Sequence, residues 1–261
     1  MATLAVVSDL LAAYDADLRT EAEMLDALDV TRIGPLWLGT FLGGRGFISY
    51  RDLVGADLDP LVARAAEHFG GRPDVAEVEW KTRAHDGAPG LHEALLRHGF
   101  VPGEPESVMI GEAAALAVDV PLPDGVGLRR VTAEDDVRRM VSMQDEVFAH
   151  ATHAGELISR MAADPAIECW VAEAGGLVVS AGRLHPVHGT AFAGIWGGAT
   201  RPEWRGRGIY RALTAARARA ALGQGKTLIH SDSTEYSRPI LERYGFVKVT
   251  ETTPYEWRRQ Q

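Results

Sequence analysis

Apolar and polar positions follow one another in blocks that predict alternating helices and strands. The first block, 3–28, has apolar residues at helical spacing and predicts an amphipathic helix. Two strand-like blocks at 33–41 and 46–51 follow, and the turn Gly43-Gly44-Arg45-Gly46 between them predicts a β-hairpin. The pattern then predicts a helix beginning near Asp59, a strand at 76–82, a helix at 89–98 and a strand at 106–111.

A second series of elements begins after the segment 113–125, whose small and proline-containing sequence is typical of a linker. Thr132, with Asp135 three residues later, predicts the capped start of a helix. The predicted elements are a strand at 126–131, the helix that Thr132 caps, a helix near 154–163, strands at 167–174, 177–185 and 190–200, a helix at 207–222, a strand at 226–231, a short helix at 237–244 and a hairpin over 246–258. This order predicts an α/β fold with a mixed sheet.

Length and charge limit the kind of protein. The 261 residues suit two domains, here predicted as 1–115 and 116–261. The net charge of −9 argues against a nucleic-acid partner, and no apolar stretch is long enough to span a membrane. The first 115 residues carry a net charge of −10 and the rest +1, so the second part is better suited to an anionic ligand. The lone Cys169 favours a cytoplasmic setting and a buried, inert thiol.

One short segment occurs twice. Leu95–Val101 matches Leu241–Val247 at an offset of 146 residues, and both copies are predicted as the end of a short helix followed by a strand. The glycine of each copy, Gly99 or Gly245, is expected just past the helix end in a left-handed conformation, and the phenylalanine after it is expected in the core. The match suggests two related units.

The most informative segment runs from Ala199 to Tyr210, where a strand leads through Pro202 into a glycine-rich helix start. The first turn of a helix has backbone N–H groups without intrahelical partners, and small residues let a phosphate approach them. Arg205 and Arg207 add positive charge. The segment lacks the lysine and hydroxyl pair of a Walker loop and the G-x-G-x-x-G spacing of a dinucleotide site.

The run Arg205-x-x-Gly208 after a strand and Pro202 resembles the pyrophosphate loop of the GNAT superfamily of acyl-CoA-dependent N-acetyltransferases. The order of elements over about 126–258 also resembles that family. The N-terminal unit resembles a degenerate second copy, so the chain is similar to tandem GNAT proteins of the mycothiol synthase type.

The resemblance implies an acetyl-CoA site in the second unit. Gly198, Ala199 and Thr200 would contact the pantetheine arm and thioester. The backbone of Arg205, Gly206, Arg207, Gly208, Ile209 and Tyr210 would hold the pyrophosphate, although Tyr210 stands where the family usually has glycine or alanine. Thr234 and Ser237 are further candidates for contact with the cofactor. Because Gly43–Gly46 is predicted as a hairpin turn, we expect one acetyl-CoA per chain.

The catalytic groups are less defined. The tyrosine that donates a proton in many GNAT members is replaced here by Leu241, so Tyr236 is the first candidate acid and Tyr244 the second. The candidate bases are His185 and either Asp232 or Glu235. His150 and His153 would lie near a substrate-binding loop, and their spacing does not predict a metal site.

Together these features predict an acetyl-CoA-dependent N-acetyltransferase that transfers directly to a primary amine in a ternary complex. The alternative is a non-catalytic acyl-CoA-binding module, which the loss of the usual tyrosine favours. The expected partner is a small-molecule amine rather than a nucleic acid or a membrane, and a homodimer is left open.

Overall fold

The computed structural model describes residues 3–149 and 154–259, which form two compact units. Unit 1 consists of Met1–Met109, Asp232–Pro239 and Lys248–Gln261, and unit 2 of Ile110–Ser231 and Ile240–Val247. Unit 1 therefore includes the C-terminal end of the chain. The proposed domain boundary after residue 115 stays a prediction. His150 and His153 lie outside the described residues.

The elements of the N-terminal part are α1 (Leu4–Asp17), β1 (Asp29–Ile33), β2 (Leu36–Phe41), β3 (Arg45–Tyr50), α2 (Leu58–Gly70), β4 (Glu77–Arg83), α3 (Leu91–Arg97), β5 (Val101–Pro102) and β6 (Glu106–Glu112). They are followed by α4 (Ala113–Leu116), β7 (Val126–Val131), α5 (Glu134–Phe148), α6 (Ala154–Ala163), β8 (Glu168–Ala174), β9 (Leu177–Pro186), β10 (Phe192–Thr200), α7 (Ile209–Gly223), β11 (Leu228–Ser233), α8 (Arg238–Tyr244) and β12 (Val247–Arg258). Parallel and antiparallel neighbours both occur, which confirms the predicted α/β fold with a mixed sheet.

The sheet of unit 1 has the strand order β1-β2-β3-β4-β12, and β5 also pairs with β12. β3 and β4 run parallel, whereas β12 runs antiparallel to β4 from Thr252 to Arg258. Trp80 on β4 is fully buried and meets Phe100 edge to face at a ring separation of 6.0 Å. These rings, together with apolar residues of α2 and α3, form the core of the unit.

Unit 2 contains the antiparallel meander β7-β8-β9-β10, with β11 parallel to β10. Helix α5 buries Met140 and Val141 in a core that includes Cys169 of β8. Burial raises the pKa of the Cys169 thiol to about 11, which confirms the expected inert thiol. Helix α7 packs against β9 and β10, so its first turn follows the end of β10 closely.

The N-terminal helix is shorter than predicted. It ends at Asp17, a 3₁₀ turn at Glu21–Met24 follows, and the chain then forms β1, which the sequence did not predict. The change of direction brings the Arg19 side chain inward, where it is buried and pairs with Asp86 at 2.6 Å. The predicted single strand at 33–41 is divided by a turn at Gly34, whose φ is +58°.

Two predictions, one for the start of α5 and one for residues 246–258, were wrong. Helix α5 is capped by Ala133 without a side-chain hydrogen bond, so Thr132 and Asp135 do not form the predicted capping box. Residues 247–258 form one strand rather than a hairpin, because the long pairing with β4 keeps the chain extended. The predicted linker also contains the short helix α4.

The predicted turns are confirmed. Gly99 has a φ of +83° and Gly245 a φ of +104°, and the phenylalanine after each is buried. β2 and β3 form the predicted hairpin around Gly43 and Gly44. Across residues 3–149 and 154–259, none of the helices has the length and apolar character needed to span a bilayer.

Candidate functional site

Strand β10 becomes irregular near its end. Its parallel register with β11 covers Phe192–Gly194, and β10 continues beyond it to Thr200. Its antiparallel register with β9 shifts between Trp196 and Ala199, and Gly197 has a φ of +60°. This is a β-bulge, a feature that redirects backbone groups and is common next to functional sites.

Gln144 of α5 holds the bulge. Its side-chain amide donates a hydrogen bond to the Gly197 carbonyl, and the side chain is buried. A carbonyl released from a sheet ladder needs such a partner when it is buried. The sequence analysis did not identify Gln144 as a site residue; a glutamine among the buried, otherwise apolar positions of α5 was the available signal.

The loop after β10 is tied back to the strand. The Arg205 side chain donates from Nε to the Thr200 carbonyl at 3.0 Å, so this arginine shapes the loop rather than only adding charge. Arg207 lies over the Trp204 ring at 5.0 Å and is exposed. Ser180 Oγ donates to the Ala199 carbonyl at 2.7 Å, and it also hydrogen-bonds the Thr200 hydroxyl.

The helix start has the geometry of an anion site. Gly206 and Gly208 have φ values of +74° and +78°, and α7 begins directly afterwards. The first hydrogen bond of the helix runs from the Ala212 amide to the Gly208 carbonyl. The amides of residues 209–211 precede it and so have no acceptor within the helix. Gly206 and Gly208 are exposed, and a Cβ at Gly206 would meet nothing within 4 Å. Successive N–H groups at such a turn, with the helix dipole, favour a phosphate.

Tyr210, the departure from the family pattern, has a defined place. A Cβ on Gly198 would lie 2.7 Å from both Cε2 and Oη of Tyr210, so the ring lies directly against the β10 backbone. The ring also faces Tyr244 at 6.3 Å, and the guanidinium carbon of the buried Arg217 is 5.9 Å from its centroid. Thus Gly198 and Tyr210, both predicted as cofactor contacts, touch each other.

Comparison with known proteins gives a family match for the part of the chain that contains this loop. Residues 165–248, which include β10, the loop and α7, match the family described as Acetyltransferase (GNAT) domain. These residues are therefore similar to a GNAT acetyltransferase domain. The chain is also 28% identical over 185 residues to a mycothiol acetyltransferase of Pseudarthrobacter chlorophenolicus. The match covers 65% of this chain and 56% of that protein, little more than half of its length.

Solved structures show the same fold. A GCN5-related N-acetyltransferase from Kribbella flavida matches with a TM-score of 0.72 at 15% identity. The match covers 99% of this chain and 98% of the Kribbella chain. A tandem GNAT protein from the clavulanic acid biosynthesis pathway matches with a TM-score of 0.63 at 14% identity. The match covers 98% of this chain and 95% of that protein.

The candidate acids differ in their surroundings. Leu241, which the resemblance predicts at the position of the usual tyrosine, is 1% exposed and has no proton to donate. Tyr244 lies near Tyr210 and Arg211, and burial and then Tyr210 raise its pKa. Tyr236 is 81% exposed and lies in unit 1. It sits in the turn where the hydroxyls of Thr234 and Ser237 are 3.2 Å apart.

The candidate bases lie in different units. His185 on β9 pairs with Gly194 of β10 in unit 2, close to the bulge. Asp232 lies in unit 1, where its carboxylate contacts Lys81 Nζ at 2.5 Å. Burial alone would lower the pKa of Lys81, but Asp232, Tyr14 and Glu23 outweigh it and raise the pKa. Asp232 is therefore an ion-paired carboxylate.

Unit 1 has further buried charges around this pair. Burial raises the pKa of Glu79 and of Glu106, and the negative charge of Asp232 adds to both shifts. Within residues 3–149 and 154–259, no group of three or more His, Cys, Asp or Glu side chains is arranged to hold a metal ion.

Proposed function

We propose that this protein is an acetyl-CoA-dependent N-acetyltransferase that transfers the acetyl group directly to a primary amine in a ternary complex. The observation that carries the proposal is the loop Arg205–Gly208, which places two left-handed glycines and the free amides of α7 at the end of a bulged strand. The GNAT domain match and the name of the mycothiol acetyltransferase relative support it.

The residues present fit an acyl-CoA. The exposed loop offers backbone amides and the Arg207 side chain to a diphosphate. The residues that would hold the ligand are Gly198, Ala199, Thr200, Arg205, Gly206, Arg207, Gly208, Ile209, Tyr210, Thr234 and Ser237. Acetyl-CoA supplies a thioester carbonyl for attack and a thiol as the leaving group.

The protein must then provide an uncharged amine and a proton. An alkylamine with a pKa near 10.4 is mostly charged at neutral pH, so a base is needed. We propose His185 and Asp232 as the candidate bases and Tyr236 as the candidate acid. Backbone N–H groups at Ala199 or Thr200 are the candidate donors to the thioester oxygen.

The second candidate function is a non-catalytic acyl-CoA-binding module. The buried Leu241 favours it, because this position supplies no proton to the leaving thiolate. A leaving thiol has a pKa near 8.5, so the requirement for an acid is modest at neutral pH. Turnover separates the two functions.

The test is release of the CoA thiol from acetyl-CoA in the presence of a panel of primary amines, followed with a thiol reagent. We expect release with at least one amine and none without amine. Binding of acetyl-CoA by calorimetry with no release across the panel would support the binding module instead.

A pair of glycine variants localises the site. Gly208 has a φ of +78°, so Gly208→Val strains the loop and is expected to abolish acetyl-CoA binding. Gly223, at the end of the same helix, has ordinary φ and open space around it, so Gly223→Ala is expected to bind normally. Equal binding by both variants would contradict the site.

We further propose that residues 116–261 form the catalytic domain and residues 1–115 a degenerate GNAT-like domain in a cytoplasmic protein. The N-terminal glycines Gly43 and Gly44 lie in a β-hairpin turn that leads into strand β3 rather than into a helix, which supports a single site. Calorimetry is expected to give one acetyl-CoA per chain; two would contradict the assignment.

A further inference from the structure

Tyr210 covers the part of β10 that the proposed function leaves for the thiol-bearing arm of acetyl-CoA. The register between β10 and β11 covers Phe192–Gly194, so Gly198 lies on the part of β10 beyond it. The Tyr210 ring lies so close to Gly198 that a Cβ there would be 2.7 Å from the ring. An extended ligand cannot contact this face of Gly198 while the ring is in place.

Contacts within unit 2 hold the ring in this position. The Tyr244 ring packs beside it at 6.3 Å with an interplanar angle of 35°. The guanidinium carbon of Arg217 is 5.9 Å from the Tyr210 ring centroid, so the ring also packs against this cation. Arg217 itself is fully buried and donates to the Leu213 carbonyl and the Thr214 hydroxyl, each at 3.3 Å. The ring therefore packs against an arginine that is itself buried and hydrogen-bonded within α7.

Displacement of the Tyr210 ring requires only a change of side-chain rotamer. Tyr210 is the second residue of α7 and is only half-buried, so rotation about its side-chain bonds exposes the ring without moving the helix. The backbone amides of the first turn do not depend on the ring position. A diphosphate can therefore bind the loop while the groove at Gly198 is still covered.

We propose that Tyr210 is a specificity-determining residue: its ring closes the groove at Gly198, and only a ligand whose arm displaces the ring binds fully. The inference rests on the proposed function, because it assumes that the arm of an acyl-CoA follows β10. The Tyr210 side chain would therefore weaken the binding of ligands that carry the thiol-bearing arm. It would not affect the binding of the nucleotide alone.

The test compares two ligands by calorimetry. Acetyl-CoA has the arm, and 3′-phospho-ADP has the same nucleotide and diphosphate without it. Tyr210→Ala is expected to bind acetyl-CoA about tenfold more tightly than the unchanged protein, since the aromatic contacts no longer have to be broken. Its affinity for 3′-phospho-ADP is expected to stay within about twofold, because the loop amides are unchanged.

Two further variants complete the design. Tyr210→Phe keeps the ring but removes the hydroxyl, whose oxygen lies 2.7 Å from the position of a Cβ on Gly198, and an intermediate gain for acetyl-CoA is expected. Leu222→Ala is the matched control, because Leu222 lies near the other end of α7 and is exposed. Its affinities for both ligands are expected to match those of the unchanged protein.

The outcomes separate the inference from the proposed function. If Tyr210→Ala binds 3′-phospho-ADP normally and acetyl-CoA equally or more weakly, the ring is part of the binding wall and the inference is wrong, while the acetyl-CoA site remains. If the unchanged protein binds neither ligand, the proposed function and the inference fall together.

Discussion

The buried ion pair between Glu23 and Arg83 in unit 1 makes the folding of this unit directly testable. The Arg83 side chain is 0% exposed and that of Glu23 is 13% exposed. Arg83 also donates to the Lys81 carbonyl at 3.0 Å, and the Ser49 hydroxyl donates to Glu23. Glu23→Ala leaves a guanidinium buried without its counter-ion, a change that costs about 3–5 kcal/mol. We therefore expect a large loss of unfolding free energy.

The control is an ion pair of the same chemistry at the surface. Glu256 and Arg258 are 3.1 Å apart, with side chains 52% and 71% exposed. Water screens this pair, so Glu256→Ala is expected to cost no more than about 0.5 kcal/mol. Urea unfolding followed by tryptophan fluorescence measures both variants, and hydrogen exchange of the β4 amides assigns the loss to unit 1. A Glu23→Ala cost below about 1 kcal/mol, or equal to that of Glu256→Ala, refutes the reasoning.

The same pair predicts a dependence on pH. Burial alone would raise the pKa of Glu23, but Arg83 and Lys81 outweigh it and hold the pKa below its ordinary value. The folded state therefore favours the carboxylate, and its contribution is present above the unfolded pKa of about 4.3 and is lost as pH falls through the lower folded value. Glu23→Gln should be less stable than the unchanged protein at pH 7, and the difference should shrink at acidic pH. A difference that does not change with pH would contradict the assignment.

Three residues of the candidate site give further predictions. Arg207→Glu is expected to weaken acetyl-CoA binding about tenfold at low salt and less at high salt, because screening reduces the lost attraction; calorimetry at several salt concentrations checks this. Gln144→Leu leaves the Gly197 carbonyl without its side-chain donor, and kcat/KM should fall about tenfold while 3′-phospho-ADP binding persists. Tyr236→Phe is expected to lower kcat by about ten- to a hundredfold with acetyl-CoA affinity intact, and an unchanged kcat would exclude it as the acid.

The pattern of the sequence determined the features that depend on neighbouring residues. The loop, the start of α7 and the left-handed turns at Gly99 and Gly245 were predictable, since a positive φ strongly favours glycine. The GNAT resemblance rested on the same local features, and the domain match confirms it. The meander from β8 to β10 was predictable because its strands are sequential and their apolar periods are regular.

Only the tertiary structure decided the features that join distant parts of the chain. The pairing of β12 with β4 connects residues such as Thr82 and Thr253, which are 171 positions apart, and this pairing makes one strand where the local pattern predicted a hairpin. The contact of Tyr210 with Gly198 likewise depends on how α7 packs on β10. A local pattern records which face of an element is apolar, but the partner of that face is chosen by packing across the whole unit.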